Sequence, residues 1–143
     1  MFQRILIAWD GSEVALRAFD VAIDLTRRFE GELTAVSIAH SPAHAETEAD
    51  REESSEAARR YLEATFAEVS DRAERAGVEA RQRVIEGEDA TQALVDYAHE
   101  HGFDLLVCGH HHERRAGRLL LRGVPESLVE RSRVPLLIVT EPD

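Results

Sequence analysis

The chain has 143 residues, a length typical of one domain, and 43% of them are hydrophobic. Seventeen arginines stand against 28 acidic residues, and the formal net charge of −11 argues against nucleic acid or an anionic membrane as a partner. The chain contains no lysine, which excludes P-loop nucleotide hydrolases and Schiff-base enzymes because both depend on a lysine side chain.

The single cysteine, Cys108, cannot form an internal disulfide. No apolar run approaches the roughly 20 residues that cross a membrane, and the opening "MFQRILIAWDGS" lacks the apolar length of a signal peptide. We therefore expect a cytoplasmic protein with no membrane partner.

The first third of the chain has the pattern of a strand, a helix and a second strand. Residues 4 to 9 form a short apolar run typical of a strand. Ser12 is placed to cap the helix that follows, and Gly31 is expected to end that helix. Residues 32 to 39 predict the second strand.

The middle of the chain begins with an acidic segment, residues 41 to 56, whose lack of periodicity predicts a mobile loop. A helix that ends at Gly77 follows this loop. Residues 78 to 87 predict a third strand, and the alternation of its apolar residues favours the edge of a sheet. Glu88 or Asp89 then opens the next helix.

The last third repeats the alternation. Gly102 is expected to end the preceding helix, and residues 104 to 109 form a continuous apolar run, which indicates a strand buried on both faces. Pro125 is compatible with the first turn of a final helix. Residues 135 to 140 predict the fifth strand.

Regular alternation of strands and helices predicts a single α/β domain over residues 1 to 143, built on an open parallel five-stranded sheet with helices on both faces. In such a sheet, ligands bind beyond the carboxyl ends of the strands, where the strand order reverses. If the order is 3-2-1-4-5, the reversal lies between strands one and four. That order would bring the turn "WDGS" beside "GHHHERR".

Two segments resemble the universal stress protein family. "RILIAWDGSEVALRAFDVAIDLTRR" is similar to the family's opening, and "DLLVCGHHHERRAGRLLLRGVPESLVERSRVPLLIV" is similar to its closing segment. The resemblance covers nearly the whole chain except the acidic segment. It implies a Rossmann-like fold of the adenine nucleotide alpha hydrolase type, a role in stress response through partner or ligand binding, and a homodimer joined through residues 135 to 140.

The nucleotide-binding branch of that family carries G-x-x-G, nine further residues and G-[ST] after its fourth strand. Gly109 matches the first glycine, but an ungapped comparison puts His112 and Arg122 at the other two glycines and Gly123 at the Ser/Thr position. Side chains in such backbone conformations would cost on the order of 1 kcal/mol each and would occupy phosphate space. An insertion of one residue would instead align Gly123 with the third glycine, followed by Val124.

Arginines offer a different way to hold phosphates. Arg114, Arg118 and Arg122 lie close together in the sequence, and guanidinium forks bind phosphate through two parallel hydrogen bonds. Two hypotheses therefore stay open. The favoured one is a non-enzymatic dimeric module with a degenerate nucleotide site. The alternative is a sensor that binds ATP or AMP through these arginines, with slow ATP hydrolysis as an optional activity.

On the adenosine side, the resemblance places Asp10 at a base or ribose contact, although Asp10 could equally be a turn former. Ile38 would lie near the adenine. Trp9 could stack on a base or plug the cavity, and we favour plugging. The full set of candidate binding residues is Ala8, Trp9, Asp10, Ile38, Cys108, Gly109, His111, His112, Arg118, Arg122, Gly123 and Val124.

The three consecutive histidines are a weak indication of metal. In an extended chain only His110 and His112 could share an ion, and the family often has a histidine at the position of His111, so we expect no metal. Cys108 has no neighbouring base in the sequence, and Ser12 is better explained as a helix cap than as a nucleophile. We therefore expect no catalytic residue and no enzymatic activity.

Overall fold

The computed structural model describes residues 1–40, 48–111 and 123–142. Five strands alternate with four helices over these ranges. The strands are β1 (Arg4–Ala8), β2 (Glu32–His40), β3 (Ala80–Gly87), β4 (Leu105–His110) and β5 (Leu136–Thr140), and the helices are α1 (Glu13–Phe29), α2 (Glu48–Ala76), α3 (Ala90–Glu100) and α4 (Val124–Arg131). None of these helices is long and apolar enough to cross a membrane.

The five strands form one parallel sheet in the order β3-β2-β1-β4-β5. This order confirms the predicted topology, and β3 lies at an edge as its alternating pattern indicated. The strand order reverses between β1 and β4, which pair side by side with Ile5 opposite Leu105. The carboxyl ends of these two strands therefore meet at one edge of the sheet.

Helices cover both faces of the sheet. Helices α1 and α2 pack on one face, and α3 and α4 pack on the other. Strand β1 sends Ile5 and Ile7 to the first core and Leu6 and Ala8 to the second, and all four side chains are fully buried. Such burial on both faces explains why the sequence of this strand is an uninterrupted apolar run after Arg4.

Side-chain caps begin two of the helices where the sequence predicts them. Ser12 caps α1, and its Oγ accepts a hydrogen bond from the backbone N–H of Ala15 at 3.2 Å. Asp89 caps α3 in the same way, with the N–H of Gln92 as donor at 3.2 Å. Of the two acidic candidates for this second cap, the structure selects Asp89 over Glu88.

The end of α1 differs from the expectation. The helix ends at Phe29, and Glu30 rather than Gly31 adopts the left-handed conformation, with φ of 53°. Gly31 is needed for a different reason. A Cβ at this position would lie 2.8 Å from the carbonyl oxygen of Phe2 and 2.9 Å from that of Gln3, so only glycine lets the chain pass this close to the start of β1.

Helix α2 begins at Glu48, inside the acidic segment 41–56 for which the sequence predicts a loop. Alanine, glutamate and arginine have high helix propensity, so this segment can continue a helix without a strong apolar stripe. Residues 41–47, the first part of the expected loop, lie outside the described residues.

Helix α2 is attached to the end of β1 through Trp9. The indole Nε1 donates a hydrogen bond to Thr65 Oγ1 at 2.8 Å, and the Thr65 hydroxyl donates to the carbonyl oxygen of Leu62 at 2.6 Å. The ring packs edge to face on Phe19 of α1, with 6.1 Å between ring centroids. Trp9 is only 2% exposed, so its N–H has no route to water.

We expect Thr65→Val to destabilise the protein by about 1 to 3 kcal/mol, because valine keeps the shape of threonine but leaves a buried indole N–H unpaired. Trp9 is the single tryptophan, so its fluorescence follows the unfolding of this region in a urea titration. Thr65→Ser is the matched control, since it retains the hydroxyl. Equal stability losses for the two variants would contradict the proposed role of the hydrogen bond.

Candidate functional site

The candidate site lies at the carboxyl edge of the sheet, between the ends of β1 and β4. Asp10 follows β1, and Gly109 is the fifth residue of β4, the neighbouring parallel strand. The charge of Asp10 also acts on Cys108, whose pKa is raised to about 12, mainly by burial and then by the carboxylates of Asp10 and Glu126. The turn after β1 and the end of β4 are thus brought to one place.

Asp10 is 6% exposed and builds the turn that starts α1. Its Oδ1 accepts a hydrogen bond from the backbone N–H of Ser12 at 2.9 Å and another from the Ser12 hydroxyl. Between them, Gly11 has a φ of 80°, a conformation that glycine adopts without strain. One carboxylate oxygen of Asp10 therefore has a structural role, as the turn-former interpretation predicted.

Gly109 lies against the first turn of α1. A Cβ at this position would be 2.9 Å from the carbonyl oxygen of Val14 and 3.1 Å from its carbonyl carbon. Backbone atoms at these distances cannot give way as a flexible side chain would. Close packing of a helix on a strand is therefore sufficient to require glycine here.

Trp9 faces the opposite side of the sheet from Ala8 and Cys108. Its indole lies in the core between the sheet and helices α1 and α2, together with Phe19 and Phe66. The side chain is 2% exposed, so neither face of the ring is open for a base to stack on. Its carbonyl oxygen accepts a hydrogen bond from the buried Ser37 hydroxyl at 2.6 Å, which ties the end of β1 to β2.

Four of the candidate residues form one apolar patch on the opposite face. Ala8, Ile38, Cys108 and Val124 all belong to the core beneath α3 and α4, and each is at most 4% exposed. The Cys108 thiol stays protonated near neutral pH because of its raised pKa. This patch is part of the buried core beneath α3 and α4, and it carries no nucleophile in its reactive form.

Two histidines at the end of β4 pair with carboxylates that the sequence analysis did not identify. His110 Nε2 lies 2.8 Å from Glu126 Oε1 in α4, and His111 Nδ1 lies 3.2 Å from Glu141 Oε1 after β5. The pKa of Glu126 is lowered, chiefly by a hydrogen bond from its own backbone N–H and next by His110. Glu126, an acidic residue in the first turn of α4, was the one sequence signal that could have indicated the pairing with His110.

The remaining candidates lie in the gap between two described ranges or directly after it. His112, Arg118 and Arg122 lie outside the described residues, as does Arg114. Gly123 caps α4 with a φ of 76° and is exposed. Within the described ranges, no group of three histidine, cysteine or carboxylate side chains could hold a metal ion.

Comparison with known proteins identifies the family. The model of the universal stress protein family matches residues 1–140. The chain belongs to the universal stress protein family. A putative universal stress protein of Staphylococcus haemolyticus is 30% identical over 139 residues, which are 96% of this chain and 84% of that protein.

Solved universal stress proteins share the fold. A family member from Burkholderia pseudomallei is 26% identical with a TM-score of 0.78, and the match covers 96% of each chain. A universal stress protein crystallised in complex with cAMP is 29% identical with a TM-score of 0.71, again with 96% of each chain covered. These likenesses agree with the observed strand order.

We expect Gly109→Ala to destabilise the protein by about 3 kcal/mol, because the new methyl group meets the Val14 backbone and the helix must shift. Gly77→Ala is the matched control. A Cβ at Gly77 meets nothing within 4 Å, so only its φ of 71° opposes the change, at a cost of about 1 kcal/mol. Chemical denaturation measures both variants, and a Gly109 variant no less stable than the control would refute the packing argument.

Proposed function

We propose that this universal stress protein is a non-enzymatic, dimeric stress-response module of the cytoplasm whose adenine-nucleotide site is degenerate on the phosphate side. The contact between Gly109 and the Val14 carbonyl carries this proposal. Gly109 is the one residue that matches the nucleotide-binding pattern without a gap, and helix packing alone accounts for it. Its presence is therefore no sign of a phosphate ligand.

The substitutions in the pattern support the same conclusion. His112 and Arg122 stand where that pattern has glycines, and glycines let backbone N–H groups approach an anion without a Cβ in the way. The Asp10 carboxylate accepts two hydrogen bonds within its own turn, which leaves it less capacity for a ribose or a base.

The side chains that could act as nucleophiles have other roles. The Ser12 hydroxyl donates a hydrogen bond to Asp10 and accepts one from the backbone N–H of Ala15, as a helix cap does. Cys108 is fully buried with its pKa raised to about 12. These observations favour a protein that acts through a partner protein or a bound ligand rather than through catalysis.

A second candidate function is an ATP- or AMP-binding sensor. The cAMP complex of a 29% identical universal stress protein favours it, since that likeness extends over 96% of both chains. In this alternative, Arg114, Arg118 and Arg122 would supply the phosphate contacts that the missing glycines do not. Slow ATP hydrolysis would be an activity of this alternative alone.

Calorimetric titration with ATP, ADP, AMP and cAMP, with and without magnesium, distinguishes the two candidates. If the site is degenerate, we expect ATP to bind no more tightly than AMP, with no saturation below about 1 mM. Micromolar ATP binding that Asp10→Ala abolishes, and that the exposed control Asp24→Ala leaves intact, would reject the degenerate site in favour of the sensor.

The dimer is proposed to form through β5, which is an edge strand paired with β4. Leu136, Leu137 and Ile138 are only partly buried, although strand residues of this type usually pack on both faces. The other edge strand, β3, is protected from pairing by its charged residues. Two copies of β5 related by a two-fold axis would extend the sheet across the interface.

The register of β5 provides a test of this dimer. The carbonyl of Pro135 faces β4 and accepts from the Leu106 N–H, so the N–H of Ile138 points to the free edge. We expect the wild-type protein to sediment as a dimer of its 16.0 kDa chain at about 50 µM, and Ile138→Pro to sediment as a monomer with unchanged circular dichroism. A wild-type monomer at that concentration would contradict the proposal.

A further inference from the structure

A cationic pocket of about 300 Å³ lies at the opposite edge of the sheet from Asp10 and Gly109. It is formed by residues near the amino-terminal ends of β1, β2 and β3 together with the end of α3. Its lining residues are Arg4, Thr34, Arg81, Arg83, Tyr97, His101 and Phe103. Six residues of extended chain separate Arg4 from Asp10, so the two sites are about 20 Å apart.

The strand pattern explains why arginines gather in this pocket. Arg81 and Arg83 alternate with Gln82 on β3, so both arginines are on the face that α3 covers. Arg81 pairs in register with Thr34 of β2. Further along the same face of β3, Ile85 packs into the core beneath α3. Apolar residues at positions 81 and 83 would have extended this core, but both positions are arginine.

A stack of flat side chains forms one wall of the pocket. The His101 ring stacks on Tyr97 with 4.1 Å between centroids, and Tyr97 stacks on Phe103 at 5.9 Å. The Arg4 guanidinium carbon lies 4.9 Å from the centroid of the Phe103 ring. The His101 Nδ1 is 3.1 Å from the carbonyl oxygen of Tyr97, which fixes the imidazole in this stack. The wall is therefore built before any ligand arrives.

The positive charge in the pocket is largely uncompensated. Among the described residues that line it, none is acidic. Arg4 has a distant ion pair with Glu32 at 3.7 Å, and its buried Nε has no hydrogen-bond partner in the described part of the chain. Within those same ranges, neither Arg81 nor Arg83 has a carboxylate within 4.0 Å.

The end of α3 is too weak a counter-charge to explain this cluster. A helix carries about half a negative charge at its carboxyl end, whereas the pocket holds three guanidinium groups. Asp104, which follows Phe103, accepts hydrogen bonds from the backbone N–H groups of Gln3 and Arg4 rather than from a guanidinium. An anion in the pocket would meet three arginine side chains in a protein whose net charge is −11.

We propose that this pocket binds a small phosphate-bearing anion, such as pyrophosphate or a phosphate monoester, independently of the nucleotide cleft. Guanidinium forks match the geometry of phosphate oxygens, and the hydroxyl of Thr34 adds a neutral donor. A volume of about 300 Å³ is at the lower limit of small-molecule sites and accommodates a ligand of this size. The aromatic wall would contact any organic group that the phosphate carries.

Calorimetric titration with inorganic pyrophosphate tests the proposal. The double variant Arg81→Gln with Arg83→Gln removes two exposed charges from the pocket, and we expect it to bind about a hundredfold more weakly, or about tenfold per arginine. The matched control is Arg60→Gln with Arg75→Gln, which removes the same net charge from exposed positions of α2. We expect the control to bind within about twofold of the wild type.

Three results would overturn the proposal. The first is equal weakening in both double variants, which would indicate a general charge effect. The second is unchanged binding in the pocket variant. The third is the absence of saturable heat with the wild type up to about 5 mM pyrophosphate. Thermal melting followed by circular dichroism confirms that each variant is folded before titration. Because pyrophosphate has no base or ribose, the result does not depend on whether adenine nucleotides bind at the cleft.

Discussion

The start of α1 pressed against the backbone of β4 determines the geometry of the carboxyl edge. Because Gly109 has no side chain, the Val14 carbonyl can pack directly on it, whereas a Cβ at this position would lie only 2.9 Å from the Val14 oxygen. The Asp10–Ser12 turn directs the helix into that position. This contact lies among the ends of β1 and β4, the helix cap and the apolar patch beneath α3 and α4. A change in any one of them would move the others, because close-packed backbone has little room to relax.

Local patterns were enough to predict the elements and their order. Ser12 and Asp89 cap helices because their side chains reach an N–H three residues ahead, a relationship contained in the sequence itself. Strand–helix alternation predicted the parallel sheet, whereas the order β3-β2-β1-β4-β5 was an assumption based on similar folds that the structure confirms. The beginning of α2 was missed because its acidic first turns have helix propensity but no apolar stripe.

Features that depend on the approach of distant segments could not be predicted. Gly31 was interpreted as a helix stop, but its requirement arises from the carbonyl groups of Phe2 and Gln3. The pairing of His111 with Glu141 joins residues 30 positions apart, and no local pattern indicates it. Trp9 was expected in the cavity because of its position before Asp10, yet the alternation of side chains along β1 sends it to the other core.

The placement of Trp9 has an optical consequence. The single indole of the chain is sealed between α1, α2 and the sheet, whereas Ala8, Ile38, Cys108 and Val124 line the other side. A molecule bound against these four residues would touch no part of the indole, so its binding would leave the emission spectrum nearly unchanged. Tryptophan emission would therefore not report binding on the α3 and α4 side, and a reporter dye placed there would be needed to detect it.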